Sequence, residues 1–251
     1  MRTSNSLKVG LALCLAWTMP AAAAPTPVPV GSTLARIDKL QPGARHYVRY
    51  FQMKDGSVEL VDFQAKTISF EGDRIRITQS WRGPKGSRSL NSLIERGTMR
   101  PITHRRDSES AGKVLREGFR FGQDSVIALG EADDTNRDFR IATPEPTFNF
   151  EIDLEMLQAL PWREGAEFSL NLYHPGATAP PAAHVFKVAG SETLTLAGVP
   201  VECWVVTTDY NRPEVPLSRF WIAKQSQVVV RVHNPAPDGR AVIKALLPSA
   251  P

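Results

Sequence analysis

The chain has 251 residues, of which 42% are hydrophobic and 22% are charged. This is the composition of a globular protein that can bury a core, and it excludes a disordered or collagen-like chain. The length favours a single domain, since all-β domains reach this size, and the formal net charge of +4 is too small to indicate nucleic-acid binding.

The N-terminus carries the three-part pattern of a secretory signal peptide. A positive start with Arg2 and Lys8 precedes an apolar run over residues 9–19 and a stretch of alanines. The A-x-A rule places cleavage after Ala23, so the signal peptide is predicted to span 1–23. The apolar run covers only about half of a ~30 Å membrane core, which argues against a permanent membrane anchor. We therefore expect a periplasmic protein.

The two cysteines restrict the chemistry of the mature chain. Cys14 follows Leu13 inside the apolar run, where a lipobox needs a small residue, so a lipidated start is not expected. Cleavage leaves Cys203 as the only thiol and excludes an internal disulfide. Its apolar surroundings predict a small buried side chain in a strand, rather than a nucleophile.

The mature chain begins with an extended leader and continues as a β-rich domain. Prolines alternate within residues 24–33 and favour polyproline II, and the folded domain is predicted to span 34–251. Short runs of β-branched and aromatic residues then alternate with polar ones, which indicates antiparallel strands with one dry face. The predicted strands are 45–53, 57–63, 66–71, 73–81, 87–95, 99–106, 113–121, 124–129, 137–142, 147–152, 166–174, 183–189, 191–196, 199–209, 217–223, 226–233 and 240–247.

One helix is predicted over residues 154–160, with Asp153 as its cap and Pro161 as its end. Its apolar face carries Met156, Leu157 and Leu160. Glu155 and Gln158 are expected on the opposite, solvated face, so that the helix lies as a flap on the sheet. A weaker helix is predicted over 32–40.

No residue pattern in the sequence indicates a particular reaction. The chain has no G-x-S-x-G, no H-E-x-x-H, no paired C-x-x-C and no P-loop, and its histidines are scattered, so no metal and no cofactor are predicted. His174 and His184 flank the loop 175–181 and will meet if that loop joins two adjacent strands. The alternatives are two exposed strand-end histidines, or a hydrolytic site that pairs one of them with a distant carboxylate.

Large apolar residues offer a different indication of function. Around a curved sheet with one helix, they either fill a solid core or line a pocket for an apolar ligand. The candidate lining residues are Phe148, Phe150, Met156, Leu157, Trp162, Trp204 and Trp221.

The order of strand and turn motifs resembles a known family. The segments are TMRP at 98–101, LQALPWREG at 157–165, GSETLTL at 190–196, GVPVECWVV at 198–206, RFWIAK at 219–224 and VVVR at 228–231, followed by Asp238 and Gly239. Over roughly residues 43–247 the chain resembles the secreted DUF3108 proteins, related to the LolA/LolB-like half-barrels. The resemblance implies an antiparallel incomplete β-barrel (half-barrel) wrapped around one or two short helices, with an apolar interior that receives acyl chains in lipoprotein carriers. It implies no catalytic residues.

These observations favour a periplasmic, non-enzymatic protein that binds a lipid-like amphiphile, or a cell-envelope protein, in the concave face of a half-barrel. The alternatives are an envelope interaction module that pairs through a sheet edge without a small ligand, and an envelope hydrolase.

Overall fold

The computed structural model describes residues 24–248, and the predicted signal peptide over 1–23 lies outside them. The N-terminal part of the sheet comprises β1 (Thr26–Pro27), β2 (Gly43–Gln52), β3 (Val58–Glu71), β4 (Arg74–Gly83), β5 (Gly86–Glu95), β6 (Pro101–Ser110), β7 (Lys113–Phe121), β8 (Ser125–Ala128) and β9 (Arg140–Ala142). The remaining strands are β10 (Phe148–Asn149), β11 (Glu167–Tyr173), β12 (Ala182–Leu196), β13 (Val199–Thr208), β14 (Ser218–Ala223), β15 (Val229–Pro235) and β16 (Ala241–Leu246). The helix α1 spans Asp153–Gln158, and 3-10 turns lie at Ile37–Lys39 and Phe150–Ile152.

All sixteen of these strands belong to one open sheet. Its order is β1-β11-β12-β13-β14-β15-β16-β2-β3-β4-β5-β6-β7-β8-β9, with β10 also paired to β11. The short strands β1 and β10 run parallel to β11, and the other pairs are antiparallel. Strands make up 56% and helices 5% of the structure, and the sheet does not close into a barrel. The predicted mainly-β, antiparallel half-barrel around a short helix is therefore confirmed.

Two predicted breaks between strands are absent. The segments 57–63 and 66–71 form the single strand β3, and 183–189 and 191–196 form β12. Within β12 the register shifts between Val188 and Gly190, so a β-bulge takes the place of a loop.

The region around the helix differs from the prediction in two places. Only Phe148–Asn149 of the predicted strand 147–152 is extended, because the Asn149 side chain accepts a hydrogen bond from the Glu151 backbone N–H and starts a 3-10 turn. The predicted helix over 32–40 is reduced to the 3-10 turn Ile37–Lys39, which carries no side-chain cap.

The helix α1 is buried on all sides, so the expectation of a flap with a solvated face is wrong. Glu155 and Gln158 are each only 2% exposed. Glu155 pairs with Lys66, and Gln158 bonds to Arg45 and to the Lys39 carbonyl. The polar side of the helix was predicted to face solvent. It is buried instead, because polar groups of the surrounding structure form ion pairs and hydrogen bonds with its side chains.

The main hydrophobic core lies on the face of the sheet that packs α1, which we call the inner face. It combines residues of the helix segment with apolar side chains of strands from both halves, such as Ile68, Ile77, Leu170 and Phe220. A second, smaller cluster lies on the opposite face, because neighbouring residues on β13 and β14 alternate between the two clusters.

Candidate functional site

The inner face changes from apolar to polar along the strands. On β3 the buried positions run from Ile68 through Lys66 and Gln64 to Asp62, while Phe63 between them is 52% exposed. The partner strand β4 follows the same trend, with Ile77 opposite Ile68 and Gln79 opposite Lys66. The polar groups bond to one another: the Gln64 amide donates to Gln79 Oε1 at 2.7 Å. The half-barrel interior therefore has one apolar end and one polar end, and the polar side chains at the second end are hydrogen-bonded.

A cavity of about 660 Å³ lies over the polar end, within the size range of small-molecule sites. Its walls come from strands β2 to β5, β11, β15 and β16, from the 3-10 turn and start of α1, and from the segments 174–184 and 210–212. The charged and ionisable lining residues are Arg49, Lys66, Arg88, Glu151, Asp153, His174, His184, Arg212 and Lys244. The aromatic and aliphatic lining residues are Trp81, Phe150, Leu172, Ala177, Ala179, Pro180, Ala182 and Tyr210. The cavity is therefore amphipathic.

The floor of the cavity contains a buried ion pair and a second lysine. Lys66 Nζ lies 2.9 Å from Glu155 Oε1, and both side chains are 2% exposed. Lys244 on β16 faces the same space, and burial, with Lys66 nearby, lowers its pKa to about 8. Burial raises the pKa of the Asp153 carboxyl, although Lys244 and Lys66 oppose the shift. The floor therefore holds ionisable groups that are poorly hydrated.

A carboxylate at the rim is surrounded by basic side chains. Glu151 Oε1 lies 2.5 Å from the Arg88 guanidinium, 3.7 Å from that of Arg106 and 3.8 Å from His174 Nδ1. Burial raises the pKa of Glu151, but Arg88, His104 and His174 outweigh it and the net pKa is lowered. Glu151 is therefore held ionised beside the opening.

The segment between His174 and His184 joins the adjacent strands β11 and β12, and both imidazoles lie beside Phe150 at this rim. The His174 ring stacks on Phe150 with centroids 4.2 Å apart, and the His184 ring meets Phe150 at 6.4 Å. Burial lowers the pKa of both imidazoles. Among residues 24–248, no group of three His, Cys, Asp or Glu side chains is placed to hold a metal ion.

Tyr210 lines the cavity just after the end of β13, in an uncommon backbone conformation. Its φ is 50° and that of Asn211 is 57°, so two consecutive non-glycine residues are left-handed. Such strain persists where the surroundings impose it, and it is frequent at functional sites. The bend places the Tyr210 ring 5.5 Å from Phe150 and lets its hydroxyl donate to Asp153 Oδ2 at 3.4 Å.

The seven candidate lining residues from the sequence are divided among different places. Phe150 alone lines the cavity. Four are at most 5% exposed within the main core and fill it as solid packing: Phe148, Met156, Leu157 and Trp162. Trp204 packs half-buried at the edge of that core, below the Lys224 ammonium. Trp221 lies in the cluster on the opposite face, because it is adjacent in sequence to the inward-facing Phe220.

The sequence interpretation missed the polar floor. Lys66 and Lys244 lie in predicted strands but were not among the candidate site residues, although Asp62, Gln64 and Lys66 alternate with apolar side chains in β3. That alternation was the available signal, but it does not show which side faces inward.

Cys203 is a buried side chain of the central strand β13, as predicted. Burial and nearby Glu192 raise the pKa of its thiol to about 11, so the thiolate is disfavoured.

No helix formed by residues 24–248 combines the length and the apolar character needed to cross a membrane.

Comparison with known proteins identifies the family. No curated protein matches the chain. Among solved structures, the chain is similar to the hypothetical lipoprotein YmcC from Escherichia coli (K12), with 14% identity, a TM-score of 0.28 and coverage of 87% of this chain and 91% of that one. The model of the family described as "Protein of unknown function (DUF3108)" matches residues 46–245. The chain therefore belongs to the DUF3108 family.

Proposed function

We propose that this protein binds a small amphiphilic molecule in the cavity at the polar end of its half-barrel, as a non-enzymatic protein of the periplasm. The amphipathic lining carries the proposal: an aromatic wall of Phe150 and Tyr210 faces a polar floor at Lys66 and Lys244. A purely apolar ligand would cover the polar floor and offer no polar partner to the Lys244 ammonium, whereas an amphiphile covers both surfaces.

The half-barrel around a short helix suggests the mode of binding of LolA/LolB-like proteins, to which we relate the family. In this chain, however, the apolar end of the interior is filled by its own core, including Met156 and Leu157. We infer that the ligand occupies the outer, polar half of the interior and stacks against Phe150. The residue range 1–23 would direct the chain to the periplasm as a cleaved signal peptide.

The first test is native mass spectrometry of the mature protein purified gently from its own periplasm, followed by denaturing extraction. We expect an excess mass that corresponds to a bound amphiphile. A ligand-free mass, together with a stable complex with another envelope protein, would favour the interaction module over the binding protein.

The second test locates the binding. Calorimetric titration with octan-1-ol should show saturable binding to the mature protein and about ten-fold weaker binding to Phe150→Ala, because the aromatic contact is lost. Phe63→Ala is the matched control, since Phe63 is exposed on the outer face of β3. Equal effects of the two substitutions would contradict binding in this cavity, and so would the absence of binding to the unaltered protein.

A further inference from the structure

The charges around the cavity do not balance locally. Three of its cations have carboxylate partners: Arg49 pairs with Asp62, Lys66 with Glu155 and Arg88 with Glu151. Lys244 and Arg212 also line the cavity, but among the described residues neither side chain has a carboxylate within 4 Å or a hydrogen-bond partner.

Lys244 is the more informative of the two, because of where the sheet holds it. In the register its neighbours are Arg49 on β2 and Val232 on β15, so a cation lies on one side and an apolar residue on the other. Arg212 is exposed at the rim, whereas Lys244 is half-buried. A half-buried ammonium without a partner is costly, because it loses hydration and gains no ion pair.

The nearby carboxylates do not supply the missing partner. Glu155 is committed to Lys66 and Asp62 is committed to Arg49, which donates from Nε to Asp62 Oδ1 at 2.7 Å. Asp153 lies on the same floor, but its carboxylate takes the Leu154 backbone N–H and the Tyr210 hydroxyl as donors, and burial disfavours its ionised form.

We propose that the ligand is an anionic amphiphile, and that Lys244 is the counter-ion for its carboxylate or phosphate head group while its apolar part lies against Phe150 and Tyr210. This inference rests on the proposed function and specifies its ligand class. A head group at Lys244 would regain a charge-assisted hydrogen bond in a partly dry site, where such bonds are strongest.

The test compares octanoate, octan-1-ol and octylammonium by calorimetry at pH 7 with the mature protein. We expect the affinity for octanoate to exceed that for octan-1-ol by a factor of about ten or more, because one charge-assisted hydrogen bond supplies that ratio. Octylammonium should bind most weakly. Titration with octyl phosphate then distinguishes a carboxylate from a phosphate head group. The anion that binds more tightly identifies the head group that the site prefers.

Variants assign the preference to Lys244. Lys244→Met should reduce the octanoate-to-octanol affinity ratio to about one. Lys244→Arg should keep the preference for octanoate, and Lys113→Met is the control, since it removes the same charge from an exposed position at the start of β7. Circular dichroism of each variant checks that the fold is retained.

The outcomes separate the two proposals. If none of the octyl compounds binds, the proposed function fails. If octan-1-ol binds as well as octanoate, if Lys244→Met weakens both equally, or if Lys113→Met has the same effect as Lys244→Met, amphiphile binding stands and the anionic preference at Lys244 is overturned.

Discussion

Lys66 Nζ lies 2.9 Å from both carboxylate oxygens of Glu155, and each of these side chains is only 2% exposed. The pair connects the middle of β3 to α1, so the short helix is fixed to the sheet by charge as well as by apolar packing. A six-residue helix is too short to be stable by itself, and this contact fixes its rotation and depth.

Removal of one member of this pair should be strongly destabilising. Lys66→Met leaves a buried carboxylate, and Glu155→Leu leaves a buried ammonium. Each should lower the free energy of unfolding by about 3–5 kcal/mol, whereas the double variant should recover most of the loss. Urea unfolding measures these changes.

The exposed pair between Lys187 and Glu167 is the control for that experiment. Lys187→Ala should cost less than about 1 kcal/mol, because water screens an exposed pair. Additive effects of the two buried substitutions would contradict a direct interaction between them.

His104 should make the protein sensitive to mild acid. Its side chain is fully buried, with Ser92 Oγ 2.8 Å and Asn149 Nδ2 3.2 Å from Nδ1, and burial lowers its pKa from 6.5 to about 3. Below pH 6.5 the unfolded chain gains a proton that the folded chain does not. The free energy of unfolding therefore decreases as the pH is lowered. The contribution of this one group is about 2 kcal/mol at pH 5 relative to pH 8.

The comparison with His104→Gln isolates that contribution, because the carboxylates titrate in both proteins. Between pH 8 and pH 5 the unaltered protein should lose about 2 kcal/mol more than the variant. Parallel stability curves would show that the imidazole is not held neutral.

Trp221 should contribute to stability and not to binding. It packs on the opposite face of the sheet from the cavity, where its indole N–H donates to Glu192 Oε2 at 2.7 Å and its ring lies 5.3 Å from the Arg231 guanidinium. Trp221→Ala should cost about 3–5 kcal/mol, yet the folded fraction should bind octan-1-ol with unchanged affinity. Thermal unfolding and calorimetry measure the two effects separately, and a loss of affinity in the folded protein would show that the faces are coupled.

Binding of octanoate should weaken as pH rises through about 8, where the Lys244 ammonium loses its proton. The charged groups that face it are Lys66 on β3, Arg49 on β2, and Asp153 and Glu155 on α1. Lys244→Arg leaves these neighbours unaltered, so comparing it with the unaltered protein assigns the change between pH 7 and 9.5 to Lys244. Lys244→Arg should remove the pH dependence, and octan-1-ol binding should show none. An unchanged octanoate affinity at pH 9.5 would exclude Lys244 as the counter-ion.

The same lysine should also affect stability in the ligand-free protein. Its pKa of about 8 in the folded state lies below the ordinary 10.5, because the folded state disfavours the charged ammonium. Between pH 8 and 10.5 the unfolded chain binds a proton that the folded chain has lost, so the free energy of unfolding rises with pH. At pH 7, Lys244→Met should raise the free energy of unfolding by about 1–3 kcal/mol.

The sheet could be predicted from the sequence because strand periodicity is a local property. The buried Cys203 and the position of α1 both follow from a few neighbouring residues. The depth of α1 did not follow, because it depends on Lys66, which lies far away in the sequence and supplies the partner for Glu155.

The site was less predictable than the fold for a related reason. Along β3, Val58, Leu60 and Phe63 are exposed while Asp62, Gln64 and Lys66 are buried. A two-residue alternation predicts two different faces, but hydrophobicity then assigns the polar face to water. Of the seven candidate lining residues only Phe150 lies at the cavity, and Trp221 could not be assigned to a face without its register on β14.

The order of the sheet has a consequence for how the binding-competent state is assembled. From β2 to β9 and from β11 to β16, each strand pairs with its neighbour in sequence, so each half can grow by local steps. The pairing of β16 with β2 joins opposite ends of the described chain and carries a large entropic cost of closure. Lys244 and Arg49 face each other across that seam, and the Tyr47 hydroxyl donates across it to the Val229 carbonyl at 3.1 Å. The cavity therefore exists only in molecules whose two halves have joined, and a ligand bound there would stabilise that joined state.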